Sequence, residues 1–156
     1  MAARFDPENA AVLVKVARLD SGMSQADLAR SAGMSQPHVA AIEAGRRAVS
    51  AEVLERLLRA ADYRPSIALE EHAAEIVAAG ARSGVADIRV FGSAARGSDH
   101  FTSDIDLVAK LAPGRSYFDI ARFQNDVQSL TGFPVDVVID GEGRPAFLDE
   151  TVTVPL

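Results

Sequence analysis

The stretch Phe91–Leu107 constrains the fold and the chemistry of this chain more than any other. An apolar run leads into Gly92 and Ser93, and ten residues then separate Ser93 from Asp104, which is followed by Asp106 after one intervening residue. Small residues let a backbone approach a phosphate closely, and paired carboxylates bind divalent cations. A metal-dependent nucleotidyl transfer site requires this combination, so the stretch is the natural starting point.

Strand periodicity places the paired carboxylates on one face. Residues 104–110 form a predicted strand, in which positions i and i+2 share a face. Asp104 and Asp106 therefore point one way, and Ile105 and Leu107 point the other way, into a core.

A third carboxylate, Asp136, stands among apolar residues in the predicted strand Val135–Ile139. A carboxylate in such a strand is costly unless it is paired or ligates a metal. If the two strands are neighbours, Asp136 joins Asp104 and Asp106. Three carboxylates at one spot repel each other, and hard oxygen ligands combined with substrate phosphates suit Mg²⁺. We therefore predict that these three residues are the metal ligands and the catalytic residues.

The neighbouring residues suit the handling of phosphates. Two Mg²⁺ ions about 3.5–4 Å apart would clamp an α-phosphate, an attacking oxygen and a leaving pyrophosphate. Gly92 allows close approach of the backbone, and Ser93 offers its N–H and hydroxyl to the β- and γ-phosphates. Arg96 neutralises phosphate charge, and Asp136 is the candidate to deprotonate or orient the incoming hydroxyl.

Helix and strand signals alternate through the second half of the chain, which predicts a small α/β unit. The predicted elements besides the two strands above are a helix from Pro65 or Ser66 to about Ser83, a strand at Ala86–Phe91, a helical turn at 94–97, a polar loop at 98–103, a helix at Ser116–Leu130 and a short helix or strand within Phe147–Leu156.

This half resembles the minimal nucleotidyltransferase (MNT) branch of the DNA polymerase β-like superfamily. The branch has the pattern Gly-Ser, ten residues, Asp-x-Asp and a third Asp, which here reads Gly92-Ser93, Asp104-Ile105-Asp106 and Asp136. The flanking residues agree with the family as well. The resemblance spans about residues 69–156, and it implies a small mixed sheet and Mg²⁺-dependent transfer from ATP.

The first half reads as a series of short capped helices. In the first helix, Val12, Val16 and Leu19 recur at helical spacing, which predicts a helix here. Two short helices joined by a tight turn containing glycine, within Ser24–Gly45, indicate a helix-turn-helix. The residues that favour starts and ends of these helices are Asp6, Ser24, Asp27, Gly33, Ser35, Gly45 and Ser50.

The stretch Ser24–Gly45 closely resembles the phage-repressor-like, XRE-type family, and the resemblance extends over about residues 12–61. In this family the third helix enters the major groove, where Gln can pair with adenine and helix N-termini favour phosphate. The resemblance implies base or phosphate contacts from Gln36, His38 and Ser35, a phosphate contact from Gln25, and positions flanking the groove for Arg46 and Arg47.

Charge differs between the two halves. Residues 1–64 hold nine Lys and Arg against eight Asp and Glu, whereas residues 65–156 hold seven against fourteen. This asymmetry indicates two units with different partners, and we place their boundary at 64/65, because the residue before Pro65 disfavours helix. Within the acidic half, Asp99, Asp126 and Asp140 are expected to be solvated and His100 to lie at the surface.

The composition of the chain indicates the cellular compartment in which we expect the protein to act. The chain has no cysteine, no secretory pattern and no apolar run approaching the roughly 18 residues that a membrane helix requires. We expect a cytoplasmic protein with no membrane partner.

The two resemblances together suggest a function. Many MNT proteins act as antitoxins beside a HEPN-domain ribonuclease toxin and transfer AMP from ATP to a toxin tyrosine, and a helix-turn-helix is what a self-regulating antitoxin would carry. The leading hypothesis is therefore an operator-binding antitoxin, acting as a homodimer like most helix-turn-helix proteins, with Mg²⁺-dependent adenylyltransferase activity toward its partner. One alternative is a transcriptional regulator whose nucleotidyltransferase fold only binds nucleotide or partner. Another is a nucleotidyltransferase toxin acting on tRNA, although the acidic half lacks the cations that RNA phosphates need.

Overall fold

A computed structural model describes residues 2–156 and divides into two compact units, Met1–Arg64 and Pro65–Leu156. Every regular element of the first unit is helical within the described residues. A 3-10 turn at Pro7–Asn9 leads into α1 (Ala10–Asp20), α2 (Gln25–Ala32), α3 (Gln36–Glu43) and α4 (Ala51–Ala60). Among the described residues, no helix combines the length and apolarity needed to cross a membrane.

Side-chain caps start α2 and α4 at the residues that the sequence indicates. Ser24 Oγ accepts a hydrogen bond from Asp27 N at 3.0 Å, and the Asp27 carboxylate accepts one from Ser24 N at 3.1 Å, which completes a capping box. Ser50 Oγ accepts from Val53 N at 3.2 Å. Gly33 ends α2 at a φ of 69°, a left-handed conformation that glycine adopts without steric cost.

The helix that the spacing of Val12, Val16 and Leu19 predicts is present as α1, but these residues do not form its buried face. Val12 and Leu19 are 62% and 59% exposed. Residues 10–14 are all apolar, so the sequence offers two overlapping faces and packing against α3 and α4 decides between them. The face that the structure buries consists of Ala10, Leu13, Val14 and Ala17.

The second unit packs helices against a four-stranded sheet. The strand order is β3-β2-β1-β4, with β1 antiparallel to β2 and β4, and β2 parallel to β3. The predicted fold class, an all-helical unit followed by an α/β unit with a small mixed sheet, is thereby confirmed. The elements are α5 (Pro65–Arg82), β1 (Val85–Phe91), α6 (Gly92–Arg96), β2 (Ile105–Leu111), α7 (Tyr117–Thr131), β3 (Val135–Ile139), a 3-10 turn (Ala146–Asp149) and β4 (Val154–Pro155).

The core of this unit lies between the sheet and the helices α5 and α7. Ile105 and Leu107 are fully buried, as the strand alternation predicts. Gly80 lets α5 approach the sheet closely, since a Cβ there would lie 2.7 Å from the Val85 carbonyl oxygen and 2.8 Å from Ile88 Cδ1. The alternate strand positions point to the opposite face of the sheet, and that face carries the acidic residues.

Candidate active site

The three aspartates predicted to form the site lie at the same end of the sheet. Asp106 is the register partner of Asp136 across the parallel pair of β2 and β3, and Asp104 lies one residue before β2 begins. Asp106 is also the register partner of Phe91 on β1. Residues paired across strands present their side chains to the same face. Phe91, Asp106 and Asp136 therefore form one row across three strands, which we call the acid row.

Gly92 turns the chain over the acid row directly after β1. Its φ is +72°, and a Cβ at this position would overlap Asp106 Oδ2 and lie 3.2 Å from Asp106 Cγ. Both the backbone conformation and the contact therefore require glycine. Helix α6 starts here and carries the half-buried Ser93 and the exposed Arg96.

The pKa of the Asp106 carboxyl is raised above its ordinary value. Burial is the largest cause, and the negative charges of Asp136 and Asp104 raise this pKa further. Arg96 acts in the opposite direction and lowers the pKa of Asp106. The charges of Asp136 and Asp104 each raise this pKa more than Arg96 lowers it. The negative charge around Asp106 therefore exceeds what Arg96 offsets, a condition that a bound divalent cation would relieve.

The donor set fits Mg²⁺ as a cation that binds together with substrate. Asp104, Asp106 and Asp136 offer carboxylate oxygens, which Mg²⁺ prefers. Across residues 2–156, however, no three His, Cys, Asp or Glu side chains lie close enough together to form a complete metal site by themselves. Mg²⁺ usually takes one or two protein carboxylates and completes its shell with water and substrate phosphates. The arrangement matches that mode of binding.

The predicted DNA-contacting residues of the first unit lie around α3. Gln36 Nε2 donates a hydrogen bond to Gln25 Oε1 at 2.9 Å, which joins the first turns of α2 and α3. Of the remaining four, Ser35 is the N-cap residue of α3 without a side-chain cap bond, His38 lies half-buried in its first turn, and Arg46 and Arg47 are exposed beyond its end.

An ion pair between α1 and α3 fixes the position of α3. Arg18 Nη2 donates to Glu43 Oε1 at 2.8 Å and Arg18 Nε donates to Glu43 Oε2 at 3.0 Å, and both side chains are largely buried. Arg18 Nη1 also donates to the Met23 carbonyl oxygen at 3.0 Å. The hydrogen bonds to Glu43 raise the pKa of the Arg18 guanidinium. This bidentate pair holds α3 in register with the rest of the helical unit.

Comparison with known families decides what the second unit is. A family described as "Nucleotidyltransferase domain" matches residues 70–152, more than half of the chain. The chain belongs to this nucleotidyltransferase family. A helix-turn-helix family matches residues 14–67, so an XRE-type helix-turn-helix region precedes the nucleotidyltransferase domain.

Two relatives support this assignment. A Methanocaldococcus jannaschii protein named "Putative protein adenylyltransferase MJ0435" is 32% identical over 68 residues, which cover 44% of this chain and 73% of that protein. A solved structure named "Structure of putative minimal nucleotidyltransferase" is 33% identical, with a TM-score of 0.53 and coverage of 60% of this chain and 98% of that chain. The MNT fold inferred from the motifs is thus confirmed.

One acid of the nucleotidyltransferase domain that was expected in solvent is buried. Asp99 is 2% exposed, and its carboxylate accepts hydrogen bonds from Ser66 N at 2.7 Å and from Ser66 Oγ at 3.2 Å. The predicted solvation of Asp99 is wrong because the first turn of α5 presents an unsatisfied N–H and a positive helix end. Asp99 lies between α6 and β2, so these bonds fasten the loop that leads to Asp104.

The same loop has a second anchor and an exposed histidine. Phe101 is buried, and its ring packs edge-on against that of Phe133 with centroids 6.2 Å apart. His100 is exposed, as predicted, and its N–H donates to Ser103 Oγ at 2.9 Å. The approach to Asp104 is therefore fixed by burial and hydrogen bonds on both sides of His100.

Asp140, also expected in solvent, is an ion-pair centre. It follows β3, and it accepts hydrogen bonds from Arg89 Nη2 at 2.6 Å and from Arg144 Nη1 at 3.1 Å. Its side chain is only 15% exposed, so its predicted solvation is wrong. The bond from Arg89 is the main reason why the pKa of Asp140 is lowered. Arg144 Nη2 donates in turn to Asp149 Oδ1 at 2.8 Å. These pairs bind the segment 140–149 to β1.

Proposed function

We propose that this chain is a DNA-binding antitoxin that transfers AMP from ATP to a hydroxyl of a partner protein. The observation that carries the transferase part is the register of Asp106 with Asp136, which sets two carboxylates side by side with Asp104 adjacent in the chain. Adjacent carboxylates in a nucleotidyltransferase domain suit phosphoryl chemistry, because the acids can bind cations and accept a proton.

In the proposed reaction, the acceptor hydroxyl oxygen forms a bond to the α-phosphorus of ATP, and the bond from that phosphorus to the bridging oxygen of pyrophosphate breaks. The hydroxyl proton passes to the Asp136 carboxylate, and pyrophosphate leaves with the bonding electron pair. Ser93 and the backbone of Gly92 bind the β- and γ-phosphates, and Arg96 offsets their charge. Two Mg²⁺ ions held by Asp104, Asp106 and Asp136 would neutralise the charge that develops on the phosphate oxygens.

The choice of a protein acceptor is supported by the M. jannaschii relative, which is named a protein adenylyltransferase. The choice of a toxin as that protein follows from the pairing of a nucleotidyltransferase domain with a helix-turn-helix in one chain. An antitoxin with its own DNA-binding unit can repress the operon that encodes it. A HEPN-type ribonuclease is the partner that this pairing suggests.

The DNA-binding part is supported by the geometry of the first unit. The bonded pair Gln25–Gln36 places two amides at the N-termini of α2 and α3, where phosphate and base edges are bound in helix-turn-helix proteins. Arg46 and Arg47 are exposed and add positive charge beyond α3. We expect binding to operator DNA as a homodimer.

The decisive experiment incubates the protein with ATP, Mg²⁺ and the product of the adjacent gene and records intact masses. We expect one adenylyl group on the partner and released pyrophosphate, and neither with Asp104→Asn. If the partner gains no mass and Asp104→Asn neutralises it as well as the wild type does, the transferase proposal is wrong. Operator binding that changes with ATP, without pyrophosphate release, would favour a regulator that only senses nucleotide.

A further inference from the structure

Two phenylalanines stand beside the acids, on the side away from Asp136. Phe91 is the register partner of Asp106, and the ring of Phe147 packs against the ring of Phe91 with centroids 6.0 Å apart and planes inclined by 44°. Phe147 nevertheless remains 51% exposed. The Phe147 ring therefore contacts the Phe91 end of the acid row, one side chain away from Asp106, and presents about half of its surface to solvent.

Phe147 does not act as the anchor of its own segment. The 3-10 turn Ala146–Asp149 is anchored by Leu148, which is 7% exposed. Thr151 Oγ1 donates a hydrogen bond to the Phe147 carbonyl oxygen at 2.7 Å and braces the turn. Because these contacts and the Arg144 ion pairs attach the segment, the exposed face of the Phe147 ring is available for another purpose.

The two ends of the acid row suit different substrates. Asp136 lies on β3 and is the residue assigned to the acceptor hydroxyl, so the acceptor approaches from the β3 side. Phe91 lies on β1 and is followed directly by Gly92 and Ser93, which are assigned to the nucleotide phosphates. The β1 side is therefore the side on which the nucleotide lies. A nucleobase offers a flat π face on which an aromatic ring can stack.

We propose that Phe147, backed by Phe91, is the surface on which the purine base of the nucleotide stacks. This inference rests on the proposed function and adds a nucleoside subsite to it. Neither ring carries a hydrogen-bonding group, so the surface distinguishes a nucleotide from a bare polyphosphate and does not select between adenine and guanine.

The test measures binding of ATP and of inorganic triphosphate to the full chain, each with Mg²⁺, by titration calorimetry. Phe147→Ala should weaken ATP binding by roughly tenfold, as expected when one base–aromatic stack is removed, and leave triphosphate binding unchanged. Phe147→Leu keeps an apolar contact with Phe91 but loses the aromatic face, so it should also weaken ATP binding. The matched control is Phe118→Ala, which removes an 83% exposed ring on α7 and should change neither affinity.

The other possible outcomes show whether the stacking surface or the transferase proposal itself is wrong. Equal ATP affinity of wild type and Phe147→Ala overturns the stacking surface and leaves the transferase proposal standing. An equal loss for ATP and triphosphate also overturns it, because the effect is then on the phosphate site. If Phe147→Ala binds ATP as tightly as wild type but transfers AMP to the partner protein more slowly, the ring contacts the acceptor, and the stacking surface is again overturned. A wild type that binds neither compound refutes the proposed function itself.

Discussion

The carboxylate of Asp106 lies against the backbone of Gly92, where a Cβ would overlap Asp106 Oδ2. A strand residue and the turn after the neighbouring strand thus share one space, with the acid filling the volume that glycine leaves open. Gly92 therefore does more than allow a turn, since the absence of a side chain there leaves the space that the Asp106 carboxylate occupies.

Gly92→Ala should impair the site more than the fold. The added methyl group forces the Asp106 carboxylate to move, and the left-handed φ adds strain of roughly 1–2 kcal/mol. We expect nucleotidyl transfer to fall by about 100-fold or more, since small misplacements at a reacting centre have effects of this size. The measurements are single-turnover transfer and urea denaturation.

Gly97→Ala provides the matched control. Gly97 has a similar φ of +71°, but a Cβ there meets nothing within 4 Å. The two variants should lose similar stability, whereas only Gly92→Ala should lose transfer. Equal activity of the two variants would contradict the role assigned to the Gly92–Asp106 contact.

Asp106→Asn should stabilise the cation-free protein at neutral pH. Folding raises the pKa of Asp106, so the folded state binds a proton more tightly than the unfolded chain does. Stability therefore falls as pH rises from the ordinary carboxyl pKa to the raised folded pKa, and it remains lower above that window. In EDTA the variant should melt above wild type at pH 7, and the difference should vanish at pH values below the ordinary carboxyl pKa.

Mg²⁺ together with nucleotide should reverse the order of the two melting temperatures, so that wild type melts above Asp106→Asn. Added cation with nucleotide stabilises the form that binds it, so the melting temperature of wild type should rise and that of Asp106→Asn should not. Asp126→Asn changes a carboxylate on α7, outside the acid row, and serves as control. A wild type that gains nothing from Mg²⁺ and nucleotide would contradict the assignment of these acids as cation ligands.

Substitutions of the Asp99 anchor should destabilise the nucleotidyltransferase domain in a defined order. Ser66→Ala removes only the hydroxyl bond and should cost the least. Asp99→Asn keeps an acceptor for Ser66 N but loses the charge at the helix end, and Asp99→Ala leaves that N–H unsatisfied at a cost of about 2 kcal/mol. Urea denaturation with a probe in this domain measures the order. Equal stability of Asp99→Ala and wild type would show that the buried carboxylate is dispensable.

Removal of Arg46 and Arg47 should weaken DNA binding without changing sequence preference. Both side chains are exposed, and both are predicted to flank the DNA groove, next to the phosphate backbone of the DNA. For every phosphate that a removed arginine no longer neutralises, the slope of log K against log salt decreases by roughly one unit. Fluorescence anisotropy of operator and scrambled duplexes across a salt series measures both effects. Arg56→Ala on α4 is the control, and an unchanged slope in Arg46→Ala/Arg47→Ala would contradict the assignment.

Local patterns predicted much of this protein. Capping signals at Ser24 and Ser50 act on the next three residues, so helix starts are readable from the chain itself. Strand alternation is equally local, and it placed Ile105 and Leu107 in the core. The roles of Asp104, Asp106 and Asp136 remain predictions, although the structure gives Asp106 and Asp136 one register.

The features that sequence reasoning missed depend on partners far along the chain. Asp99 binds the first turn of α5, 33 positions away, and no periodicity connects the two. Asp140 pairs with Arg89 at a separation of 51 residues, and Phe147 lies in a single 3-10 turn that is too short to show a repeat. The buried face of α1 could not be predicted for another reason, because a continuous apolar run does not say which of its faces will contact a neighbouring helix.

The alignment of Asp106 with Asp136 also gives the sheet a safeguard against misfolding. A shift of β3 by one residue would send Asp136 to the helix-covered face and bring a valine beside Asp106. Burying an unpaired carboxylate among Ile105, Leu107 and their neighbours is strongly unfavourable. The negative charge of Asp136 therefore also disfavours the shifted pairing of β3 with β2. When the sheet forms in its stable register, Asp106 and Asp136 come to lie side by side in the same step.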